Sequence, residues 1–114
     1  MHQTDDFHPL AKQIDQASHQ LYDRMVHFLA DLVQIRSYTG EEGPAVKRTL
    51  EEMEAIGCDR VWMDTAGNAV GRIGNGKNRI LYNGHLDTNR VADESEWEHP
   101  PLKPVIQDGA LYGL

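Results

Sequence analysis

The first third of the chain carries apolar residues in steps of three or four. They are Leu10, Ile14, Ala17, Leu21, Met25, Phe28, Leu32 and Ile35. This spacing places side chains on one face of an α-helix, and Pro9 suits the first turn of such a helix. Polar residues occupy the opposite face. The pattern predicts a long surface helix, beginning near Leu10, with one side packed against something larger.

A second helix is predicted after a break in this pattern at residues 36–40. Thr39 and Glu42 have the spacing of a capping box, so the helix should begin near Thr39. Gly57 is well placed to end it in a left-handed conformation. Its apolar stripe consists of Val46, Leu50, Met53 and Ile56.

The apolar residues then change to the pattern of short strands. Residues 61–63 and 69–73 flank a segment of turn formers at 64–68, which predicts a β-hairpin. Residues 80–82 (Ile-Leu-Tyr) form an unbroken apolar run after a Gly- and Asn-rich turn. Such a run is typical of a strand that is covered on both faces.

A polar loop at residues 89–101 leads to a second hairpin signature near the end of the chain, around the turn 107–109. The alternation of helices and strands predicts an α/β fold with a mixed central sheet flanked by helices. No helix follows the last strand, so we expect a partial domain rather than a complete one. Its predicted parts are a flexible start (1–9), two helices (10–57) and a region of strands and loops (58–114).

Charge and composition exclude several classes of function. The 18 acidic and 11 basic residues give a net charge of -7, and the Lys and Arg residues are scattered, which argues against nucleic acid as a partner. No basic segment precedes an apolar stretch at the start, and no apolar run is long enough to cross a bilayer. These features predict a soluble, cytoplasmic protein without a membrane partner. Cys58 is the only cysteine, so any metal must be held by His and carboxylates.

The strongest candidate for chemistry is the segment Gly84-His85-Leu86-Asp87, where the apolar run at 80–82 ends. Ligands gather at the carboxyl ends of strands in open α/β sheets. A neutral imidazole is a good zinc ligand, and a carboxylate two residues further on in extended chain can hydrogen-bond the ring and fix its tautomer. His85 is therefore a candidate metal ligand and Asp87 its partner. A His-x-Asp triplet also arises by chance, and the alternative is a capped or solvated histidine.

One histidine is not a metal site, because a catalytic zinc needs about three protein ligands and an open position. His99, in the loop after the motif, is a weaker candidate for a second site residue. The other histidines (His2, His8, His19 and His27) are interpreted as surface or boundary residues. The glutamate pairs at 41–42 and 51–52 are interpreted as solvated helix charges.

The order of these features resembles a known family from about Leu29 to the end of the chain. The matching segments are the loop at 32–42, the helix that ends at Gly57, Gly67-Asn68, residues 81–88 and residues 108–113. Together they resemble the M-twenty family of metallopeptidases, which includes acetylornithine deacetylases, succinyl-diaminopimelate desuccinylases, aminoacylases and carboxypeptidases of the G type. The resemblance implies the N-terminal portion of a di-zinc, aminopeptidase-like catalytic domain, truncated before most of its catalytic residues.

Carried over by position, His85 resembles a ligand of one of two Zn²⁺ ions, with Co²⁺ or Mn²⁺ as alternatives, and Asp87 resembles the catalytic carboxylate that clamps its ring. The family hydrolyses amide bonds of small substrates with a free carboxylate, using a metal-bridging water and a Glu as general base. Its homodimers form through a later domain. Asn89-Arg90 stands where many members have an apolar residue and Pro, which puts the substrate class in doubt.

Three hypotheses follow. In the first, the chain is the N-terminal fragment of a metal-dependent amide hydrolase and is inactive alone, because the other ligands and the general base lie further downstream. In the second, it is a non-catalytic α/β binding module derived from such an enzyme, with a partner on its exposed sheet edge. In the third, it is a complete mononuclear hydrolase that uses His85 and His99.

Overall fold

The long amphipathic helix predicted from the sequence is confirmed. The structure is a computed structural model that describes residues 7–114. Helix α1 spans Phe7–Gln34. It includes residues 7–9, so this part of the predicted flexible start is helical, while residues 1–6, with His2, lie outside the described residues.

Among the described residues, only the C-terminal part of α1 packs against other elements. Val33 is buried there. The preceding apolar stripe is 49% to 61% exposed at Leu10, Ile14, Leu21, Met25 and Leu29. Within residues 7–114, the prediction that one side of this helix packs against something larger therefore holds only at its C-terminal end.

Helix α2 spans Gly43–Ala55 and begins four residues after the predicted start. The capping-box prediction is wrong, because Glu42 takes the N-cap position without a side-chain cap. Its Oε1 instead accepts a hydrogen bond from the Gly40 amide at 2.8 Å. Pro44 lies in the first turn, where its missing N–H is not needed. Gly57, with φ +85°, follows the helix end as predicted.

A network of charges joins α1 to α2. Glu52 accepts hydrogen bonds from Arg24 Nε at 2.6 Å and from Arg48 Nη2 at 2.9 Å. Arg48 also binds Asp31 at 3.0 Å and lies over the ring of Phe28. The Glu52 side chain is 13% exposed, so its interpretation as a solvated charge is wrong. The hydrogen bond from Arg24, aided by that from Arg48, lowers the pKa of Glu52.

This network makes stability depend on pH. A carboxyl whose pKa is lowered by folding stabilises the fold above its unfolded pKa, about 4.3, and this contribution is lost as the pH falls through the folded value. We expect Glu52→Gln to lower the free energy of unfolding by about 1–3 kcal/mol at pH 7, because hydrogen bonds to charged groups are lost. Urea denaturation at pH 7 and pH 3 measures the free energy of unfolding. The difference between the unchanged chain and Glu52→Gln should shrink at pH 3.

The matched control for this test is Glu51→Gln. Glu51 is the neighbouring residue on α2 and lies 3.9 Å from Lys47 with its side chain more than half exposed. Exposed pairs of this kind contribute about 0–1 kcal/mol. Equal effects of the two substitutions at pH 7, or an undiminished effect of Glu52→Gln at pH 3, would contradict the assignment.

The first predicted hairpin is confirmed and packs against α2. Strand β1, Arg60–Met63, pairs antiparallel with β2, Ala69–Arg72. In its turn, Asp64 Oδ1 accepts hydrogen bonds from the amides of Ala66 and Asn68. A Cβ atom at Gly71 would lie 2.9 Å from the sulfur of Met53 on α2. The absence of a side chain at Gly71 therefore allows the close approach of helix and hairpin.

The second predicted hairpin is also confirmed. Strand β3, Val105–Gln107, pairs antiparallel with β4, Ala110–Tyr112. Asp108 and Gly109 both have positive φ, 52° and 78°, as a two-residue type I′ turn requires. A short 3₁₀ helix, Glu94–Glu96, lies in the predicted polar loop.

The α/β class is confirmed, but its strands lie in two separate two-stranded antiparallel sheets rather than in one mixed central sheet. Within residues 7–114, parallel pairing occurs only as the isolated bridge between Tyr38 and Thr88. The strand predicted at residues 80–82 is wrong here: its side chains are 81% to 90% exposed, and the segment is not paired. A strand needs a neighbour for its backbone hydrogen bonds, and the described part of the chain provides none at this place.

The buried core is small and the shape is open. Within residues 8–114, the buried apolar residues are Val33, Ala45, Val46 and Pro101. The radius of gyration is 17.8 Å, whereas a compact domain of this length has about 13 Å. In residues 7–114, no helix has the length and apolar character needed to cross a membrane.

Candidate metal site

The loop that carries His85 is held against the segment after α1. The Ser37 hydroxyl donates to the Leu86 carbonyl at 2.7 Å, and the Thr88 amide donates to the Ser37 carbonyl at 2.8 Å. Ser37 is buried, so these hydrogen bonds are shielded from water. They fix the backbone on both sides of Asp87.

Asp87 lies between His85 and Thr39. Its Oδ1 is 3.1 Å from Nδ1 of His85, and its Oδ2 accepts a hydrogen bond from the Thr39 hydroxyl at 3.0 Å. The backbone carbonyl of Asp87 is also 3.0 Å from Nδ1. With its proton on Nδ1, the imidazole donates to these two oxygens, and the Thr39 hydroxyl restrains the carboxylate that receives it.

This arrangement leaves Nε2 as the acceptor nitrogen of His85. The side chain is 85% exposed, and Nε2 has no hydrogen-bond partner in the part of the chain that the structure describes. A neutral imidazole oriented through its other nitrogen fits a metal ligand. Among residues 7–114, however, no three His, Cys, Asp or Glu side chains are grouped so that they could hold a metal ion. The described residues fit one ligand with its supporting carboxylate, and no complete site.

An open pocket of about 170 Å³ lies beside this loop. Its walls are mainly apolar and come from the end of α1, the start of α2 and residues 85–88. Pockets for drug-sized ligands usually measure about 300–1,000 Å³, and this one lies below that range. The Thr88 hydroxyl is buried without a hydrogen-bond partner among the described residues.

The other histidines lie away from His85. His99 packs its ring on Tyr112 of β4, with the ring centroids 4.5 Å apart, and does not line the pocket. His8, His19 and His27 are exposed on α1, as predicted for surface residues. His85 and His99 are therefore not brought together with a third ligand in the described residues.

Two residues of this site were missed from the sequence. Ser37 and Thr39 contact residues 48 to 49 positions away, and local spacing gives no signal for such contacts. The spacing of Thr39 and Glu42 indicated a helix cap instead. The only useful signal was that residues 32–42 and 81–88 both belong to the family resemblance.

Comparison with known proteins supports that resemblance. The chain is 35% identical over 78% of its length to YgeY, an uncharacterised protein of Escherichia coli, and spans 22% of that protein. It is 32% identical over 73% of its length to a succinyl-diaminopimelate desuccinylase of Halorhodospira halophila, of which it spans 22%. A protein of Thermococcus kodakarensis named as a LysW-lysine/LysW-ornithine hydrolase is 42% identical over 80% of the chain, which spans 24% of it.

By these matches, the chain resembles the N-terminal part of the M-twenty family of hydrolases. It spans only 22% to 24% of the length of these three curated relatives. No family model and no solved structure matches the chain. The roles of His85 and Asp87 stay predictions.

Proposed function

We propose that the chain is the N-terminal portion of a metal-dependent hydrolase that cleaves amide bonds, in which His85 binds a Zn²⁺ ion and Asp87 positions its ring. Co²⁺ or Mn²⁺ are alternatives for the metal. The observation that carries this proposal is the placement of the Asp87 carboxylate between Nδ1 of His85 and the Thr39 hydroxyl. It leaves Nε2 as the atom that meets the metal.

The residues of this chain would orient one ligand rather than perform the reaction. The metal would supply Lewis acidity and an activated water. Asp87 keeps the proton of His85 on Nδ1, and Ser37 fixes the backbone of the loop. The general base and the other ligands would come from residues further along a longer polypeptide, as would the domain through which a homodimer would form. The proposed substrates are small amides or peptides with a free carboxylate, and the proposed location is the cytoplasm.

Several exposed surfaces support a role as part of a larger protein. The apolar stripe of α1 and the apolar run at residues 80–82 are both exposed. The buried Thr88 hydroxyl lacks a partner in residues 7–114, which costs about 1–3 kcal/mol if nothing else satisfies it. Additional sheet strands would cover the apolar run and pair its backbone.

The second candidate is the non-catalytic binding module. The exposed backbone and side chains at residues 80–82 favour it, because an unpaired apolar segment can add to the sheet of a partner. In that case His85 would be a solvated histidine and would not bind a metal in the functional protein.

Hydrolysis by the purified chain and by the protein translated from its full reading frame distinguishes these candidates. Both are incubated with Zn²⁺, Co²⁺ or Mn²⁺ and with N-acetyl and N-succinyl amino acids, and release of the free amino acid is measured. We expect no release by the 114-residue chain and metal-dependent release by the longer protein. Hydrolysis by the short chain alone would overturn the fragment proposal, and inactivity of a metal-loaded longer protein would favour the binding module.

A further inference from the structure

Two arginines near the His85 loop share one aromatic ring and one carboxylate. The guanidinium carbons of Arg36 and Arg90 lie 5.6 Å and 4.9 Å from the ring centroid of Tyr38. Arg36 Nε is 3.2 Å from Glu41 Oε2, and Arg90 Nη2 donates to Glu41 Oε1 at 3.3 Å. Both arginines are thereby held in place from two sides, by the ring and by Glu41.

The charge of this cluster is not balanced. Two guanidinium groups meet one carboxylate, which leaves a local charge of about +1 from these three side chains. In the network between the helices, by contrast, Arg24 and Arg48 meet the two carboxylates of Asp31 and Glu52.

The arginines beside Tyr38 are also more exposed than the two arginines between the helices. Arg36 and Arg90 are 63% and 70% exposed, whereas Arg24 and Arg48 are 43% and 24% exposed. A guanidinium has five N–H donors in a planar fork that matches a carboxylate. Glu41 takes few of these donors, so the remainder face solvent.

The cluster lies on the same pair of segments as the His85 loop. Tyr38 forms the parallel bridge with Thr88, and its neighbour Thr39 holds Asp87. Arg90 is five residues after His85, a span of at most about 18 Å in fully extended chain. The cluster and the histidine therefore lie no further apart along the chain than this distance.

We propose that Arg36 and Arg90 bind the carboxylate of a small anionic ligand and so determine specificity beside His85. That this ligand is the substrate of the His85 site rests on the proposed function; the binding of a carboxylate does not. Glu41 shows that both guanidinium groups can pair with carboxylate oxygens in their present positions. Tyr38 keeps the two like charges close together by cation–π attraction, which lowers the cost of assembling the site when a ligand arrives.

Titration of the ¹⁵N-labelled 114-residue chain tests this proposal. Succinate is added at constant ionic strength in the presence of EDTA, with the uncharged succinamide as the comparison ligand. The Arg Nε–H signals are followed by NMR together with the backbone amide signals of Tyr38 and Glu41, which remain in the arginine variants. We expect succinate, and not succinamide, to shift the signals of Arg36 and Arg90. Arg90→Gln should weaken succinate binding about two- to fivefold, as for an exposed ion pair, and the double variant with Arg36→Gln should abolish the saturable shift.

Two further variants sharpen the result. Arg60→Gln is the matched control, because Arg60 also lies over an aromatic ring, 4.7 Å from that of Trp62, on the first hairpin. It should bind succinate as the unchanged chain does. Arg90→Lys keeps the charge without the planar fork and should give an intermediate affinity. Equal binding of succinamide, or undiminished succinate binding by the double variant, would overturn the proposal.

A Zn²⁺ titration of the protein translated from the full reading frame, without EDTA, separates this inference from the proposed function. If Zn²⁺ shifts the His85 ring signals and the arginine variants leave succinate binding unchanged, the anion site is wrong and the metal ligand stands. If succinate binding depends on Arg36 and Arg90 while Zn²⁺ leaves His85 unaffected, the anion site stands and the metal ligand is wrong.

Discussion

Replacing His85 with alanine should abolish metal-dependent amide hydrolysis by the protein translated from the full reading frame. Loss of residues that merely support a metal ligand costs about 10- to 100-fold, so loss of the ligand itself should lower kcat/KM by more than about 100-fold. The physical reason is that Nε2 of His85 is the nitrogen left for a metal once Asp87 holds Nδ1. Steady-state kinetics measure kcat/KM, and metal analysis after gel filtration measures how much metal the variant retains.

His99→Ala is the matched control for this substitution. His99 packs against the ring of Tyr112 and does not line the pocket at His85, so its removal should change kcat/KM by less than about threefold, as expected for a residue outside the site. A loss as large as that of His85→Ala would support the mononuclear hypothesis, in which both histidines bind one metal. Full activity of His85→Ala would show that His85 is not a metal ligand.

The sequence predicted those elements whose determinants are local. The period of α1, the left-handed conformation of Gly57 and the turns at residues 64–68 and 107–109 depend on neighbouring residues. The structure has all of them. The start of α2 was misplaced because Thr39 and Glu42 have the spacing of a cap. Both side chains are used elsewhere, Thr39 by Asp87 and Glu42 by the Gly40 amide.

The apolar segment at residues 80–82 shows a second limit of predicting structure from local sequence. An unbroken apolar run predicts a strand only if other strands lie on both sides of it, and local sequence does not say where those strands come from. In residues 7–114 they are absent, and the run is exposed. The same holds for the apolar stripe of α1, whose period was predicted correctly although its covering surface is not among the described residues.

Of the candidate site, only the contact between neighbouring residues could be predicted from the sequence. The contact between His85 and Asp87 spans two residues and could be expected from the geometry of extended chain. The contacts of Ser37, Thr39 and Arg90 cross between segments about 50 residues apart. Such contacts depend on how α1 and the following loop pack, which spacing does not encode.

Substitution of Asp87 should weaken metal binding without removing a ligand. In Asp87→Ala the His85 ring loses the acceptor that fixes its tautomer, and we expect the apparent dissociation constant for Zn²⁺ of the full-length protein to rise about 10- to 100-fold. Competition with a chromophoric chelator measures this constant, and kcat/KM at saturating metal shows whether activity returns. Asp93→Ala is the matched control, since Asp93 has the same charge but caps the 3₁₀ helix through Ser95.

The variants Asp87→Asn and Thr39→Val separate the effect of the negative charge of Asp87 from the effect of its restrained position. Asn keeps a carbonyl oxygen at the acceptor position and removes the negative charge that raises the basicity of the ring. Thr39→Val keeps the charge and removes the hydroxyl that restrains Oδ2, so its effect should be smaller than that of Asp87→Ala. If Asp87→Ala binds Zn²⁺ as tightly as Asp93→Ala, Asp87 does not position a metal ligand. If Thr39→Val matches Asp87→Ala while Asp87→Asn is mild, restraint of the side chain matters more than its charge.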